Sequence, residues 1–152
     1  MSLQVENLEL GRSISVLYRY GRAYMEQLVE DMNIGSSQYS FLFYLYNHDG
    51  AIQDEISTFL SVDKTTTTRA IHKLEKLGYV TRVKDELDQR KNKIFLTEAG
   101  WALKVQLKKA SKEWQNVLLK GLSESEIKNL GQLLNRLEEN AVDSKEIRNN
   151  RR

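Results

Sequence analysis

Apolar residues recur at every third or fourth position along most of this chain, which is the spacing of one helical face. The pattern changes after Gly78. Two short runs rich in β-branched and aromatic residues, 79–83 and 93–96, follow there on either side of a polar, charged connector. Runs of this kind are typical of the two strands of a hairpin. We therefore expect a mainly α-helical protein with one small antiparallel β-hairpin.

Capping residues and glycines must set the ends of the helices, because the chain contains no proline. Asp63, Ser36 and Ser37 are candidate N-caps. Ser123, with Glu126 three residues later, has the form of a capping box. In chain order, the spacing predicts a helix over 5–31, a short, very apolar helix that ends before Asn47, an edge strand at 51–52, helices over 54–60 and 64–77, the two strands, a long helix over 97–120 and a last helix over 123–142.

Composition excludes several kinds of chemistry. With 152 residues the chain is the size of one domain and can bury a continuous core. It has no cysteine, which rules out disulfides, thiolate catalysis and cysteine-based zinc sites, and two histidines are too few for an expected metal site. Neither a signal sequence nor a run of roughly 20 apolar residues is visible. We expect a cytoplasmic protein with no membrane contact and no cofactor.

Positive charge is concentrated in one segment. The formal net charge is only +2, but residues 61–97 hold nine Lys or Arg and five Asp or Glu, a net charge of +4. The rest of the chain is therefore slightly acidic. A basic segment of this kind indicates contact with an anionic partner, although a solvated charged face is the common alternative.

The two predicted helices before Gly78 are separated by a tight turn of only three residues, and the charged hairpin follows at once. This order of elements is that of a winged helix-turn-helix. An α-helix fits the major groove of DNA with its N-terminal residues at the base edges, while hydroxyls, Lys and Arg bind phosphates. The sequence therefore favours binding to double-stranded DNA.

The second of these helices begins with four consecutive threonines. Threonine is a poor helix former, so stability alone would not favour such a run, whereas its hydroxyl can bond a phosphate or a base edge. Helical spacing places Thr65, Thr68 and Arg69 on one outward face, and we expect all three to reach DNA. Thr67 faces inward and is expected to pack, while His72 is expected to be an ordinary surface histidine. The alternative is that all the threonines only cap and pack.

Two stretches of the sequence resemble one known family. VDKTTTTRAIHKLEKLGYV is followed by DQRKNKIFLTEAG, in which a D-x-R wing leads after several residues into L-T-x-x-G. In this order and spacing they resemble the multiple-antibiotic-resistance regulator (MarR) family. The layout also agrees over nearly the whole chain, with a long first helix, a compact middle and two C-terminal helices.

The resemblance implies that Arg90 of the wing enters the minor groove and that Asp88 is paired with it. Arginine suits the negative potential of a narrow minor groove, and a carboxylate two residues away can orient its guanidinium. The alternative is an ordinary exposed ion pair. Lys64 is expected at a phosphate, with a solvated lysine as the alternative. The full set expected at DNA is Lys64, Thr65, Thr66, Thr68, Arg69, Lys73, Asp88, Arg90 and Lys91.

The resemblance also implies a homodimer, formed by the N-terminal helix and the last two helices, that binds a pseudo-palindromic operator. Independently, the helices after Gly100 carry more apolar residues than peripheral helices need. Folding back on the middle of the chain would account for only part of them. We expect an N-terminal dimerisation helix over 1–35, a winged helix-turn-helix region over 36–100, dimerisation helices over 101–143 and a polar, frayed tail over 144–152.

The resemblance further implies that a small aromatic or anionic molecule binds between the DNA-reading and dimer regions and releases the DNA. Arg22, Tyr39 and Phe43 are the residues expected near such a pocket, with core packing as the alternative for the aromatics. The predicted function is a transcriptional regulator, acting as a repressor.

Two other classes of function compete with this interpretation. A winged-helix module could bind another protein instead of DNA, since a fold alone does not fix function, but the basic wing and the hydroxyl-rich helix argue against it. For an enzyme the sequence lacks a phosphate-cradling glycine loop, a nucleophile elbow and a paired acid motif. We therefore expect neither catalytic residues nor metal ligands.

Overall fold

The computed structural model describes residues 9–35 and 37–149, with side chains up to residue 144. In this part of the chain the elements are, in order, α1 (Leu10–Leu28), α2 (Tyr39–Leu45), β1 (Ala51–Ile52), α3 (Gln53–Phe59), α4 (Lys64–Lys76), β2 (Val80–Lys84), β3 (Asn92–Leu96), α5 (Glu98–Ala102), α6 (Lys104–Leu118) and α7 (Glu124–Asn149). The chain divides into two compact units, Met1–Trp114 and Gln115–Arg152. Among the described helices, none combines the length and apolarity that crossing a bilayer requires.

The three strands form one antiparallel sheet in the order β1-β3-β2. β2 and β3 are the two arms of the hairpin, with Val80 opposite Leu96. β1 pairs with the other edge of β3, where Ala51 lies opposite Ile94. The predicted edge strand and hairpin are confirmed, and so is the mainly α-helical winged fold.

The core of the first unit is formed by helices packed around the sheet. Its completely buried side chains include Leu42 and Leu45 of α2, Ile71 and Leu74 of α4, and Ile94 of β3. Burying a large apolar side chain stabilises a fold by about 1.5–3 kcal/mol. The high apolarity of α2 therefore follows from its position at the centre of this unit.

Two predicted helix caps are confirmed. The carboxylate of Asp63 accepts the backbone N–H of Thr66 at 2.8 Å and the hydroxyl of the same residue at 2.6 Å, and α4 begins there. The hydroxyl bond, followed by the backbone bond, holds the pKa of Asp63 below its usual range. At the start of α7, the backbone N–H of Ser123 donates to the carboxylate of Glu126 at 2.7 Å, which forms one half of the capping box.

Several helix ends differ from the prediction. α1 ends before residue 31, because the next residues tighten into a 3-10 turn and Asn33 adopts a left-handed φ of 55°. Ser37 does not cap α2; the cap position belongs to Gln38, whose side chain accepts the N–H of Gly35 instead. α7 continues past the predicted end at residue 142 to Asn149, since no glycine or proline interrupts the sequence there. Positions 5–8, Ser36 and 150–152 lie outside the described residues.

The predicted long helix over 97–120 is interrupted at Leu103, between α5 and α6. The hydroxyl of Tyr46 donates to the carbonyl oxygen of Gly100 at 3.0 Å. In a continuous helix that oxygen would accept the N–H of Lys104. Gly100 also lies against the backbone of Tyr79, where a Cβ would collide with the carbonyl oxygen. The contacts that hold α5 against its neighbours thus coincide with the break.

Candidate nucleic-acid interface

α3 and α4 form the helix-turn-helix, and the chain turns between them at Ser61, which has a left-handed φ of 53°. Thr67 lies at the contact between the two helices and is 0% exposed. Its hydroxyl donates to the carbonyl oxygen of Asp63 at 3.0 Å and accepts the hydroxyl of Ser57 at 2.9 Å. The prediction that Thr67 packs inside is confirmed, and it fixes which face of α4 is turned outward.

The outward face of α4 carries Thr65, Arg69 and Lys73, all of them exposed. Within the described residues, none of these three side chains forms a hydrogen bond or an ion pair. His72 is also exposed, with Nδ1 4.0 Å from a carboxylate oxygen of Glu75. The two cations and the hydroxyl on this face can therefore donate hydrogen bonds to phosphates and to base edges.

The other residues expected at DNA from the start of α4 have partners within the protein. Lys64 Nζ lies 3.3 Å from a carboxylate oxygen of Asp54 in α3. The hydroxyl of Thr66 is used in the helix cap. Thr68 donates its hydroxyl to the carbonyl oxygen of Lys64 at 2.8 Å and accepts Nε2 of Gln53 at 2.8 Å. The sequence did not single out Gln53, because no local pattern relates two residues that are 15 positions apart.

The tip of the hairpin presents the Arg90–Asp88 pair that the sequence predicted. Arg90 Nε donates to one carboxylate oxygen of Asp88 at 3.1 Å, and Nη2 donates to the other at 3.4 Å. The side-chain bond, followed by a bond from the backbone N–H of Arg90, holds the pKa of Asp88 below its usual range. The arginine side chain is 91% exposed. Its guanidinium is therefore oriented by the carboxylate and still accessible to a ligand, as is the neighbouring Lys91.

Asp85 organises the base of the wing loop, a role that the sequence analysis missed. Its carboxylate is almost fully buried, accepts the N–H of Leu87 at 2.7 Å and lies 3.8 Å from Lys93 Nζ. Its backbone N–H donates to the carbonyl oxygen of Lys91 across the loop. An aspartate that bonds the N–H two residues later makes an Asx turn, so a local signal for this role was present. Asp85 thus fixes the loop that carries Arg90.

A polar cleft of about 100 Å³ lies between the first turn of α3 and the wing. Gln53 borders this cleft and is hydrogen-bonded to Thr68 of α4. Gln53 therefore relates the cleft beside the wing loop to Thr68 of α4. It is lined by Ile52, Gln53, Asp54, Arg90, Lys91 and Asn92.

The three residues expected at a ligand site lie on α1 and α2. Arg22 is exposed, and its Nε lies 3.1 Å from a carboxylate oxygen of Glu26. Tyr39 and Phe43 meet edge to face with ring centroids 6.2 Å apart, and both pack against the core. Burial raises the pKa of Tyr39, while the charge of Arg22 acts on it in the opposite direction. The structure thus brings Tyr39 and Phe43 into contact with each other. A separate cleft of about 170 Å³, between the end of α1 and α6, does not include them.

Both histidines lie on the surface, and they contact different residues. His48 stacks on Tyr44 with ring centroids 4.4 Å apart, and its Nδ1 lies 3.1 Å from the carbonyl oxygen of the same tyrosine. In the part of the chain that the structure describes, no group of three or more His, Asp or Glu side chains could hold a metal ion.

The sequence matches the model of the MarR family over residues 34–91. It is 32% identical to the HTH-type transcriptional regulator YybA of Bacillus subtilis over 111 residues, which are 73% of this chain and 74% of that protein. It is 28% identical to the HTH-type transcriptional regulator BilQ of Clostridioides difficile over 129 residues, 85% of this chain and 86% of that protein. The chain thus matches transcriptional regulators over most of their length.

The fold is also similar to solved structures of such regulators. A MarR transcriptional regulator from Methanosarcina mazei Go1 matches with a TM-score of 0.84 and 40% identity, over 88% of this chain and 96% of that chain. A MarR family regulator from Listeria monocytogenes, in complex with a 26mer DNA, matches with a TM-score of 0.86 and 28% identity, over 90% of this chain and 91% of that chain. Such proteins are not enzymes. Motif, fold and relatives agree, and the chain belongs to the MarR family of transcriptional regulators.

Proposed function

We propose that this protein is a sequence-specific DNA-binding repressor of transcription that acts in the cytoplasm. Its α4 helix enters the major groove, and Arg90 of the wing enters the adjacent minor groove. One observation carries the proposal: Gln53, which is hydrogen-bonded to Thr68 of α4, lines a cleft together with a wing arginine that is oriented yet 91% exposed. The related Listeria protein in complex with DNA supports the same use of this fold.

The charges of this surface divide into two kinds of contact. Arg69 and Thr65 on α4 have unused donors for base edges, whereas Lys73 and Lys91 are exposed cations suited to phosphates. Phosphate contacts fix the position of the protein on the duplex and make binding weaker as salt rises. Base contacts from α4 and the fit of Arg90 to a narrow minor groove supply the sequence preference.

The protein acts as a homodimer in this proposal. The described parts of α1 and α7 each expose large apolar side chains, and apolar surface of this extent is usually covered by a partner. A two-fold dimer would present two α4 helices to half-sites about one helical turn, roughly 10 bp, apart on a pseudo-palindrome. The exposed residues include Ile14, Leu17 and Tyr20 on α1 and Leu133, Leu134 and Leu137 on α7.

A small aromatic anion releases the protein from DNA in this proposal. The exposed guanidinium of Arg22 donates to Glu26 and also interacts with Tyr18, and the Tyr39–Phe43 pair provides aromatic surface. A carboxylate could replace Glu26 at Arg22 while its ring packs on Tyr39. Benzoate should then weaken binding to the operator in the wild type and have little effect on Arg22→Ala. Equal sensitivity of both proteins to benzoate would place its action elsewhere.

The function is tested by selecting bound sequences from random double-stranded DNA at low salt, together with sedimentation at micromolar concentration. We expect a dimer and enrichment of a pseudo-palindrome. A protein that enriches no DNA sequence at low salt would instead be a winged-helix module for protein interaction. A monomer that binds one half-site tightly would refute the dimer but leave the DNA-binding role intact.

A further inference from the structure

We propose that Gln53, the first residue of α3, is a specificity-determining residue that reads adenine in the major groove together with Thr68. The proposal rests on the DNA-binding function proposed above and assigns one position of the operator to a residue outside α4. It starts from the hydrogen bond between the two side chains, Gln53 Nε2 to Thr68 Oγ1, at 2.8 Å.

The bonds of Thr68 limit what its hydroxyl can do. A hydroxyl has one hydrogen to donate and two lone pairs. The hydrogen goes to the carbonyl oxygen of Lys64 at 2.8 Å, and one lone pair accepts Gln53. The hydroxyl therefore has no hydrogen left for a phosphate or for an acceptor on a base. Its role in this arrangement is to hold the carboxamide of Gln53 in place.

The carboxamide of Gln53 keeps the groups that DNA recognition needs. One of its two N–H bonds is used on Thr68, and the side chain has no further hydrogen-bond partner among the described residues. A free N–H and a free carbonyl oxygen therefore remain on one planar group. Together they match the N7 acceptor and the N6 donor that adenine presents in the major groove. The methyl group of Thr68 lies close to this amide and could pack against the methyl group of the thymine that pairs with the adenine.

Gln53 lies between the cationic wing and α4. It shares the polar cleft with Arg90 and Lys91 of the wing, and its partner Thr68 belongs to α4. Phosphates held by the wing would bring the edges of the bases toward the start of α3. A phosphate is a poorer partner for Gln53 itself, because the free carbonyl oxygen would face another acceptor.

Selection of bound sequences with the full-length wild type and with Gln53→Ala tests the proposal. We expect the wild type to enrich adenine at one position of each half-site and Gln53→Ala to lose the preference at that position alone. Affinity for the selected operator should fall by about 5- to 150-fold per half-site. Thr68→Val should weaken the same preference, and the effects of the two substitutions should be non-additive because they remove one unit.

Gln53→Glu gives a sharper test, since a carboxylate accepts hydrogen bonds but donates none. The base preferred by the Gln53→Glu variant at this position should change from adenine to cytosine, which presents the N4 donor. Lys91→Ala is the matched control: it should weaken binding to every sequence alike and make the salt dependence shallower, without changing any base preference. Thermal melting of all variants close to that of the wild type shows that the fold is retained.

Two results would overturn the assignment. A loss of affinity in Gln53→Ala that is the same for all operators would make Gln53 a phosphate contact, and unchanged preferences in both Gln53 variants would remove it from the interface. In either case the wild type still selects an operator, so the DNA-binding function stands. If the wild type selects no sequence, both proposals fail together.

Discussion

Arg82 of β2 lies 2.7 Å from Glu75 of α4, measured between Nη2 and a carboxylate oxygen. The two side chains are 26% and 34% exposed, so the pair is partly shielded from water. It connects the wing to α4 and neutralises one of the charges that make segment 61–97 basic. We therefore expect Arg82 to hold β2 against α4 and not to contact DNA itself.

The first prediction is that Arg82→Gln leaves the salt dependence of DNA binding unchanged, because Glu75 already neutralises the charge that is removed. The free energy of unfolding should fall by only about 0.5–1 kcal/mol. Fluorescence anisotropy against salt, combined with urea unfolding, measures both. The double variant with Glu75→Gln keeps the net charge and serves as the control. A clearly shallower salt slope in both proteins would make Arg82 a phosphate contact.

The second prediction concerns the wing. Arg90→Ala should make the salt slope shallower by about 0.9 for each arm of the dimer, roughly 1.8 in all. It should also remove a preference for A·T-rich flanks, since these narrow the minor groove and increase its negative potential. Asp88→Asn should act more mildly, because it loosens the arginine without removing the charge. Affinity is measured against salt on operators with A·T-rich or G·C-rich flanks, and an Arg90→Ala protein that behaves like the wild type would exclude the wing from the interface.

The third prediction separates the two faces of α4. Arg69→Ala should weaken DNA binding by about 1–3 kcal/mol with little effect on melting. Thr67→Asp should instead destabilise the fold by about 3–5 kcal/mol, because it leaves a charge unpaired in a fully buried position. Thr67→Val, which removes only the hydroxyl, should lower the free energy of unfolding by about 1 kcal/mol. Melting curves and DNA affinity are compared for the three variants. Wild-type affinity in Arg69→Ala would mean that the outward face has been assigned wrongly.

The fourth prediction is a dependence on high pH. Burial raises the pKa of Tyr46 to about 12, whereas an unfolded tyrosine ionises near 10. Below pH 10 the phenol is neutral in both states, and its hydroxyl bond to Gly100 contributes fully. Between about pH 10 and 12 the unfolded chain ionises first, so this stabilisation is lost as the pH rises.

Tyr46→Phe is the comparison that isolates this effect. The variant should be less stable than the wild type by about 1 kcal/mol at pH 8, since the Gly100 carbonyl oxygen loses its donor. The difference in the free energy of unfolding should then shrink toward pH 11, where other tyrosines and lysines titrate alike in both proteins. A difference that stays constant from pH 8 to pH 11 would mean that the Tyr46 phenol ionises normally in the folded state.

Local features of this fold were predictable because their causes lie within a few residues. The cap at Asp63 joins positions three apart, and the inward side of α4 follows from helical spacing. The Asp88–Arg90 pair lies within one loop, so both its existence and its exposure could be expected from the sequence. Whether these exposed residues bind DNA stays a prediction.

The features that the sequence analysis missed depend on pairs that are distant along the chain. The break at Leu103 accompanies the bond between Tyr46 and Gly100, which are 54 positions apart. The bond from Gln53 to Thr68 likewise joins two different helices. Periodicity assigns a face to each residue of an element, but it does not say which side chain of another element will meet it there.

The buried carboxylate of Asp85 gives the wing its shape before any DNA is present. A loop that had to become ordered on the duplex would lose about 0.5–1.5 kcal/mol for each immobilised side chain. Here that conformational entropy is lost when the protein folds, so a collision with DNA need not be followed by a slow rearrangement. The association rate is then set by diffusion and charge attraction. Differences in the occupancy of DNA sites therefore arise mainly from the dissociation rate of the complex.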